Sequence, residues 1–126
     1  MEIAHEARLA GKRILLVEDD AMIAMAMEFL LSDSGAAVVG PAGSLDGAMT
    51  LADAGGLDCA LLDVRLGHED VYPLADRLAR AKVPFLFLSG HGRGNIPANH
   101  AKRTCLSKPC DSERLLRVIE HLVGNA

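Results

Sequence analysis

Five polar residues stand where apolar runs stop. Glu18 and Asp19 follow RILLV (13–17), Asp63 follows CALL (59–62), Ser89 follows FLFL (85–88), and Lys108 lies in LSKP (106–109). Adjacent carboxylates repel, which costs stability unless something positive relieves them. Three carboxylates gathered in one place suit a divalent cation, and hard oxygen donors with room for water and phosphate suit Mg²⁺. Lys108 and Ser89 then have phosphoryl oxygens to hold, by charge and by hydrogen bond. A carboxylate beside such a metal can attack a phosphoryl group and form an acyl phosphate, with catalysis by positioning and charge neutralisation. Glu18 and Asp19, as a pair, suit the cation; Asp63, alone at its strand end, is the candidate nucleophile. Asp20 reads as the N-cap of the next helix, with a water-mediated metal contact as the alternative. Taken singly, an Asp or a Lys-Pro after a strand is commonly a turn. Four such strand ends together favour a site.

The residues meet only if the fold brings them together. RILLV, with its branched side chains, predicts a strand buried on both faces. A helix is expected over 21–31, capped by Asp20 and ended by Gly35. A second strand is expected over 37–39, closed by Gly40-Pro41, then a helix from Ser44 to about Ala54. Cys59–Leu62 predicts a third strand. Helical spacing over 69–81 places Val71, Leu74, Ala75 and Leu78 on one face, with Pro73 early, where its missing N–H costs little. A fourth strand is expected over 83–88. Residues 90–99, with Gly90, Gly92, Gly94 and Pro97, read as a loop with at most a short helix. A fifth strand is expected over 103–106, and a last helix, capped by Asp111 or Ser112, to about Val123. Five strands alternating with helices predict a parallel sheet covered on both faces, in which ligands bind beyond the carboxyl ends of the strands. The five polar residues lie at those ends.

Composition narrows the function. A chain of 126 residues that is 50% apolar supports one domain with a sizeable core, built on aliphatic residues because aromatics make up only 3%. A net charge of −4 argues against nucleic acid as the main partner. No apolar run is long enough to span a membrane, and MEIAHEARLAGK has no apolar core of a secretory signal, so the expected location is the cytoplasm. Three cysteines at 59, 105 and 110 fit neither a disulfide scaffold nor a zinc motif, and are expected to be buried or half-buried thiols. There is no GxGxxG or GxxxxGK[ST] phosphate loop. Residues 1–12 read as an N-terminal extension, a frayed helix or a tail.

The sequence resembles the receiver domains of two-component response regulators over about residues 13–123. The resemblance rests on LLVEDD, LLDVRL, FLSG and LSKP. It implies a flavodoxin-like, doubly wound (βα)5 fold with strand order 2-1-3-4-5. It implies phosphoryl transfer to Asp63 from the phosphohistidine of a histidine kinase or phosphotransferase. Mg²⁺ would be held by Glu18, Asp19, Asp63 and the backbone carbonyl of Arg65, with Ser89 and Lys108 reading the phosphoryl group. GHEDVYPLADRL and VPFLFLSGHGRGNIP further resemble the mostly single-domain alphaproteobacterial receivers of the FAT GUY class, often paired with HWE-type kinases. Ser89 stands there for the usual Thr, and His91 for the usual Tyr. Cys105 replaces the family's switch aromatic, so the expected switch is a rearrangement of 90–99. Gly67 replaces the usual Pro and is expected to loosen its loop. Arg65 and His91 fall at positions that tune phosphoryl lifetime in the family.

With no output domain expected, output must be protein contact or phosphorelay. The helix over 21–31 carries Met22, Met25 and Met27 and is apolar nearly all round, more than a core face needs. Met22 and Met25 are expected to meet a kinase or phosphotransferase helix pair. The chain is expected to be a monomer or weak dimer that catalyses only its own phosphorylation and dephosphorylation. A haloacid-dehalogenase-like phosphatase would need a second Asp where Arg65 stands. A phosphate sink for a shared kinase and a phosphorylation-independent binding module remain the other readings.

Overall fold

The structure, a computed structural model, describes residues 8–90 and 96–124. Strand β1 (Arg13–Val17) leads into α1 (Ala21–Asp33), followed by β2 (Ala37–Ala42), α2 (Leu45–Asp53) and β3 (Cys59–Asp63). A short hairpin, β4 (Arg65–Leu66) and β5 (Glu69–Asp70), precedes α3 (Tyr72–Arg80). Then come β6 (Phe85–Ser89), a single 3-10 turn at Ala98–His100, β7 (Cys105–Ser107) and α4 (Ser112–Leu122). Five strands form one sheet in the order β2-β1-β3-β6-β7, all parallel, which is the expected flavodoxin-like arrangement.

The central strands β3 and β6 are buried at every residue, as apolar strands covered on both faces must be. Two clusters fill the two faces. One holds Ile14, Leu16, Leu61, Leu86 and Leu88 against α1 and α4; the other holds Leu15, Leu62, Phe85 and Phe87 against α2 and α3. Consecutive residues of one strand thus serve opposite layers. Asp20 caps α1 by accepting from the N–H groups of Met22 and Ile23 at 3.0 and 3.1 Å. Ser44 caps α2 through Gly47. Of the two candidates for α4, Asp111 is the cap, accepting from Arg114 N–H at 3.0 Å. None of the three cysteines is in a disulfide; Cys59 is buried and the other two half-buried. Among the described residues no helix is long and apolar enough to cross a membrane.

Several expectations need correction. Strand β2 runs past Gly40-Pro41 to Ala42, with a register shift between Leu15 and Val17. As an edge strand it tolerates a residue without N–H. The fourth strand starts at Phe85 and takes in Ser89; the fifth is Cys105–Ser107. The span 69–81 is not all helix, because 69–70 pairs with 65–66 and α3 starts at Tyr72. The segment before residue 13 is no tail as far as it is described. Leu9 is fully buried against the α1 and α4 layer, and Arg8 pairs with Glu113 at 2.9 Å and Glu120 at 2.6 Å on α4. The expected rearrangement of 90–99 falls partly outside the described residues: 91–95, His91 among them, lie outside.

Candidate functional site

The carboxyl ends of β1, β3, β6 and β7 bring Glu18, Asp19, Asp63, Ser89 and Lys108 to one edge. Lys108 follows the last residue of β7, and its N–H donates to the Ser89 carbonyl at 2.9 Å, which fixes where its side chain begins. Its ammonium lies 3.1 Å from Glu18 Oε1 and 3.2 Å from Asp63 Oδ2. Glu18, Asp63 and Ser89 are buried; Asp19 is exposed. An open cleft of about 390 Å³ is lined by Asp63, Val64, Arg65, Gly67, Ser89, Gly90 and Lys108. Asp63 therefore faces both a cation and a space that a ligand can enter.

The electrostatics follow from crowding and burial. Burial first, and the nearby Glu18 charge second, push the Asp63 carboxyl up to about 6, against the opposing pull of Lys108. Burial alone would lower the Lys108 ammonium, but its bonds to Glu18 and Asp63 raise it overall. Two buried acids therefore share one ammonium, one positive charge short of neutrality. The three carboxylates can each offer an oxygen so that all three atoms lie within 4.8 Å of one another. Such a hard, oxygen-only set suits Mg²⁺. Arg65, whose carbonyl is the further expected ligand, opens β4 two residues after Asp63.

The third acid is held differently. Asp19 Oδ2 accepts from the N–H of Gly67, 48 residues away, at 2.8 Å. Gly67 and His68 form the two-residue turn between the paired Leu66 and Glu69. Gly67 has φ +61°, whereas His68 is not among the residues with positive φ. That combination is the II′ turn, which places Gly first. Gly67 thus tightens a loop it was expected to loosen. The Arg65 guanidinium, at a position expected to tune phosphoryl lifetime, lies 3.5 Å from Asp70 across the same hairpin.

Beside the acids lies a second feature. Met22, Met25 and Phe29 are 82%, 69% and 73% exposed, at helical spacing along one side of α1, while Ala24, Met27 and Leu31 are buried on the other. Next to this stripe an apolar groove of about 420 Å³ separates α1 (Ile23, Ala26, Met27, Leu30) from Pro109, Cys110 and Leu115, with Lys108 also in its lining. Met22 and Met25 were expected outside. Phe29 was missed, because a helix apolar all round does not declare which side faces water.

Residues 14–120 match the response regulator receiver domain family. The chain belongs to that family. This receiver is 31% identical to SdrG from Sphingomonas melonis Fr1, whose solution structure superposes with a TM-score of 0.79 over 98% of this chain and 99% of that one. SdrG is also known in a BeF3-activated conformation. The receiver domain of sensor histidine kinase PA1611 from Pseudomonas aeruginosa PAO1, with a magnesium ion coordinated in its active-site cleft, shares the fold at 24% identity, with a TM-score of 0.78 over 91% of this chain and 99% of that one. The transcriptional regulatory protein YbdJ of Bacillus subtilis is 29% identical over 92% of this chain but only 54% of its own length. The receiver spans about half the length of the curated relatives it matches.

Proposed function

We propose that this receiver accepts a phosphoryl group on Asp63 from the phosphohistidine of a histidine kinase or phosphotransferase, in a Mg²⁺-dependent reaction. The observation that carries this reading is Asp63 itself: a buried carboxylate at the end of a central strand, 3.2 Å from Lys108 and open to the cleft. In the reaction an Asp63 oxygen attacks phosphorus as the P–N bond breaks. The electron pair returns to the imidazole, which leaves neutral because its other nitrogen carries the proton. Lys108 is placed to follow the charge from carboxylate to phosphoryl oxygen. Ser89, at the end of the neighbouring strand, is placed to hydrogen-bond a second oxygen. Glu18, Asp19, Asp63 and the Arg65 carbonyl would hold the metal, which supplies the positive charge that three carboxylates and a phosphoryl group together require.

The protein acts on nothing but its own aspartyl phosphate and works as a stand-alone cytoplasmic regulator, as a monomer or weak dimer, through protein contact or phosphorelay. The match to SdrG over nearly the whole of both chains supports the single-domain part of that reading, and PFLFLSG supports a place beside the FAT GUY class and its HWE-type kinases. Met22, Met25 and Phe29 are the face that meets the donor's helices. Arg65 acts on phosphoryl lifetime through its backbone more than its side chain.

Intact mass after incubation with Mg²⁺ and either acetyl phosphate or a phosphorylated kinase tests the reading. One added phosphoryl group, absent from Asp63→Ala and without Mg²⁺, is the expected result. No addition from any donor, with the protein folded, would leave a binding module instead. A fast loss of the group would mark a phosphate sink, a slow loss a signal.

A further inference from the structure

Two of the ligands assigned to the metal depend on the same small element. Asp19 is held by the Gly67 N–H at 2.8 Å, and Arg65, the carbonyl donor, is the first residue of β4 and pairs with Asp70 of β5. The hairpin is itself tied down on its far side, where Val71 N–H donates to the Val64 carbonyl at 3.0 Å. We propose that the β4–β5 hairpin is a positioning element for the cation: Gly67 fixes Asp19, and the hairpin fixes the Arg65 carbonyl, so that closing the turn and binding Mg²⁺ support each other. This rests on the Mg²⁺ reading above.

The reasoning is geometric. An exposed Asp at a strand end has freely rotating oxygens, and a cation that demands near-octahedral geometry must stop that rotation. A fixed N–H on one oxygen stops it beforehand and leaves the other oxygen for the metal. Glu18 and Asp63 are oriented by Lys108; Asp19 is oriented by the hairpin, through the Gly67 N–H. The turn can do this only with glycine first, because φ +61° is costly for an L-residue. A methyl group at Gly67 would meet no atom within 4 Å, so Gly67→Ala alters the backbone preference and nothing else.

That makes the experiment clean. Calorimetric titration of the unphosphorylated protein with MgCl₂ gives the affinity, and amide hydrogen exchange with and without Mg²⁺ gives the response of residues 65–71. Mg²⁺ is expected to slow exchange across the hairpin in the wild type, and Gly67→Ala is expected to weaken Mg²⁺ binding about tenfold, the scale of the strain an L-residue meets there. A purely structural turn would lower the thermal midpoint of the variant and leave the Mg²⁺ affinity unchanged. Unchanged affinity, or tighter binding because Gly67 competes with the metal for Asp19, would overturn the proposal while leaving the Mg²⁺ reading intact. A wild type that binds no Mg²⁺ would overturn both.

Discussion

Strand β3 has an aspartate at each end, and the two live in opposite circumstances. Asp58, just before the strand, accepts from the Arg13 N–H at 2.8 Å and returns its own N–H to the Arg13 carbonyl at 2.8 Å. It closes the sheet's backbone bonding at the amino edge. Asp63, at the carboxyl edge, is buried against Glu18, and its carboxyl is pushed up to about 6. One edge of the sheet is settled by hydrogen bonds and the other is kept under electrostatic stress. Stress of this kind favours whatever positive group arrives, which is how a fold holds a reactive carboxylate ready at some cost to its own stability.

The largest way to break the comparison is chemical. Asp63→Asn is expected to abolish phosphoryl incorporation, and Asp58→Ala to leave it within about twofold, as the mass assay will read; the twofold margin is what a remote site with no shared partners allows. The next is thermodynamic and reverses the ranking. In metal-free urea melts at neutral pH, Asp63→Asn should stabilise the protein by about 3 kcal/mol, the scale of a carboxyl raised from 3.8 to about 6. Asp58→Ala should destabilise by about 1 kcal/mol, the scale of one lost hydrogen bond to backbone.

The pH dependence sharpens this further. The folded value for Asp63, about 6, lies above the ordinary 3.8, so the native state binds this proton more tightly than the unfolded chain. Its contribution is therefore fully present below the unfolded value and is lost as pH rises through about 6. The advantage of Asp63→Asn over wild type should grow across that window and level off above it, and saturating Mg²⁺ should shrink it. An advantage that does not vary with pH would mean that shape, not charge, separates the two. The smallest effect is expected at the ion pair between Arg77 on α3 and Asp53 on α2, beside the settled edge. Being exposed, it should contribute under about 1 kcal/mol, less in high salt, as Arg77→Ala melts at two ionic strengths will show.

The sheet and the acidic edge were legible in the sequence because each strand is a short apolar run that stops at a polar residue, and strand ends in this architecture share one side. The hairpin was not. Its strands are two residues long, too short for any periodicity, and Val71, Leu74, Ala75 and Leu78 drew the helix back over Glu69. The signal that was there is Leu-Gly-His-Glu, glycine first in a two-residue turn. Leu9, inside the segment read as an extension, was missed for a related reason. It stands among alanines and charged residues with no run or period around it, and only the surrounding packing makes it core. The aspect of α1 was undecidable from its own residues, and the neighbouring layers settle it.

The chain contains one tyrosine and no tryptophan. That tyrosine is Tyr72, the first residue of α3, edge-on to Phe87 at 5.8 Å between ring centroids. Its phenol is pushed up by burial and by Asp70 and Cys105, against the opposing influence of Arg65. Every photon of tyrosine emission from this protein therefore originates at the junction of the hairpin, the start of α3 and strand β7. The single tyrosine stands two residues beyond the hairpin, and the unlabelled protein carries its own optical reporter of that corner.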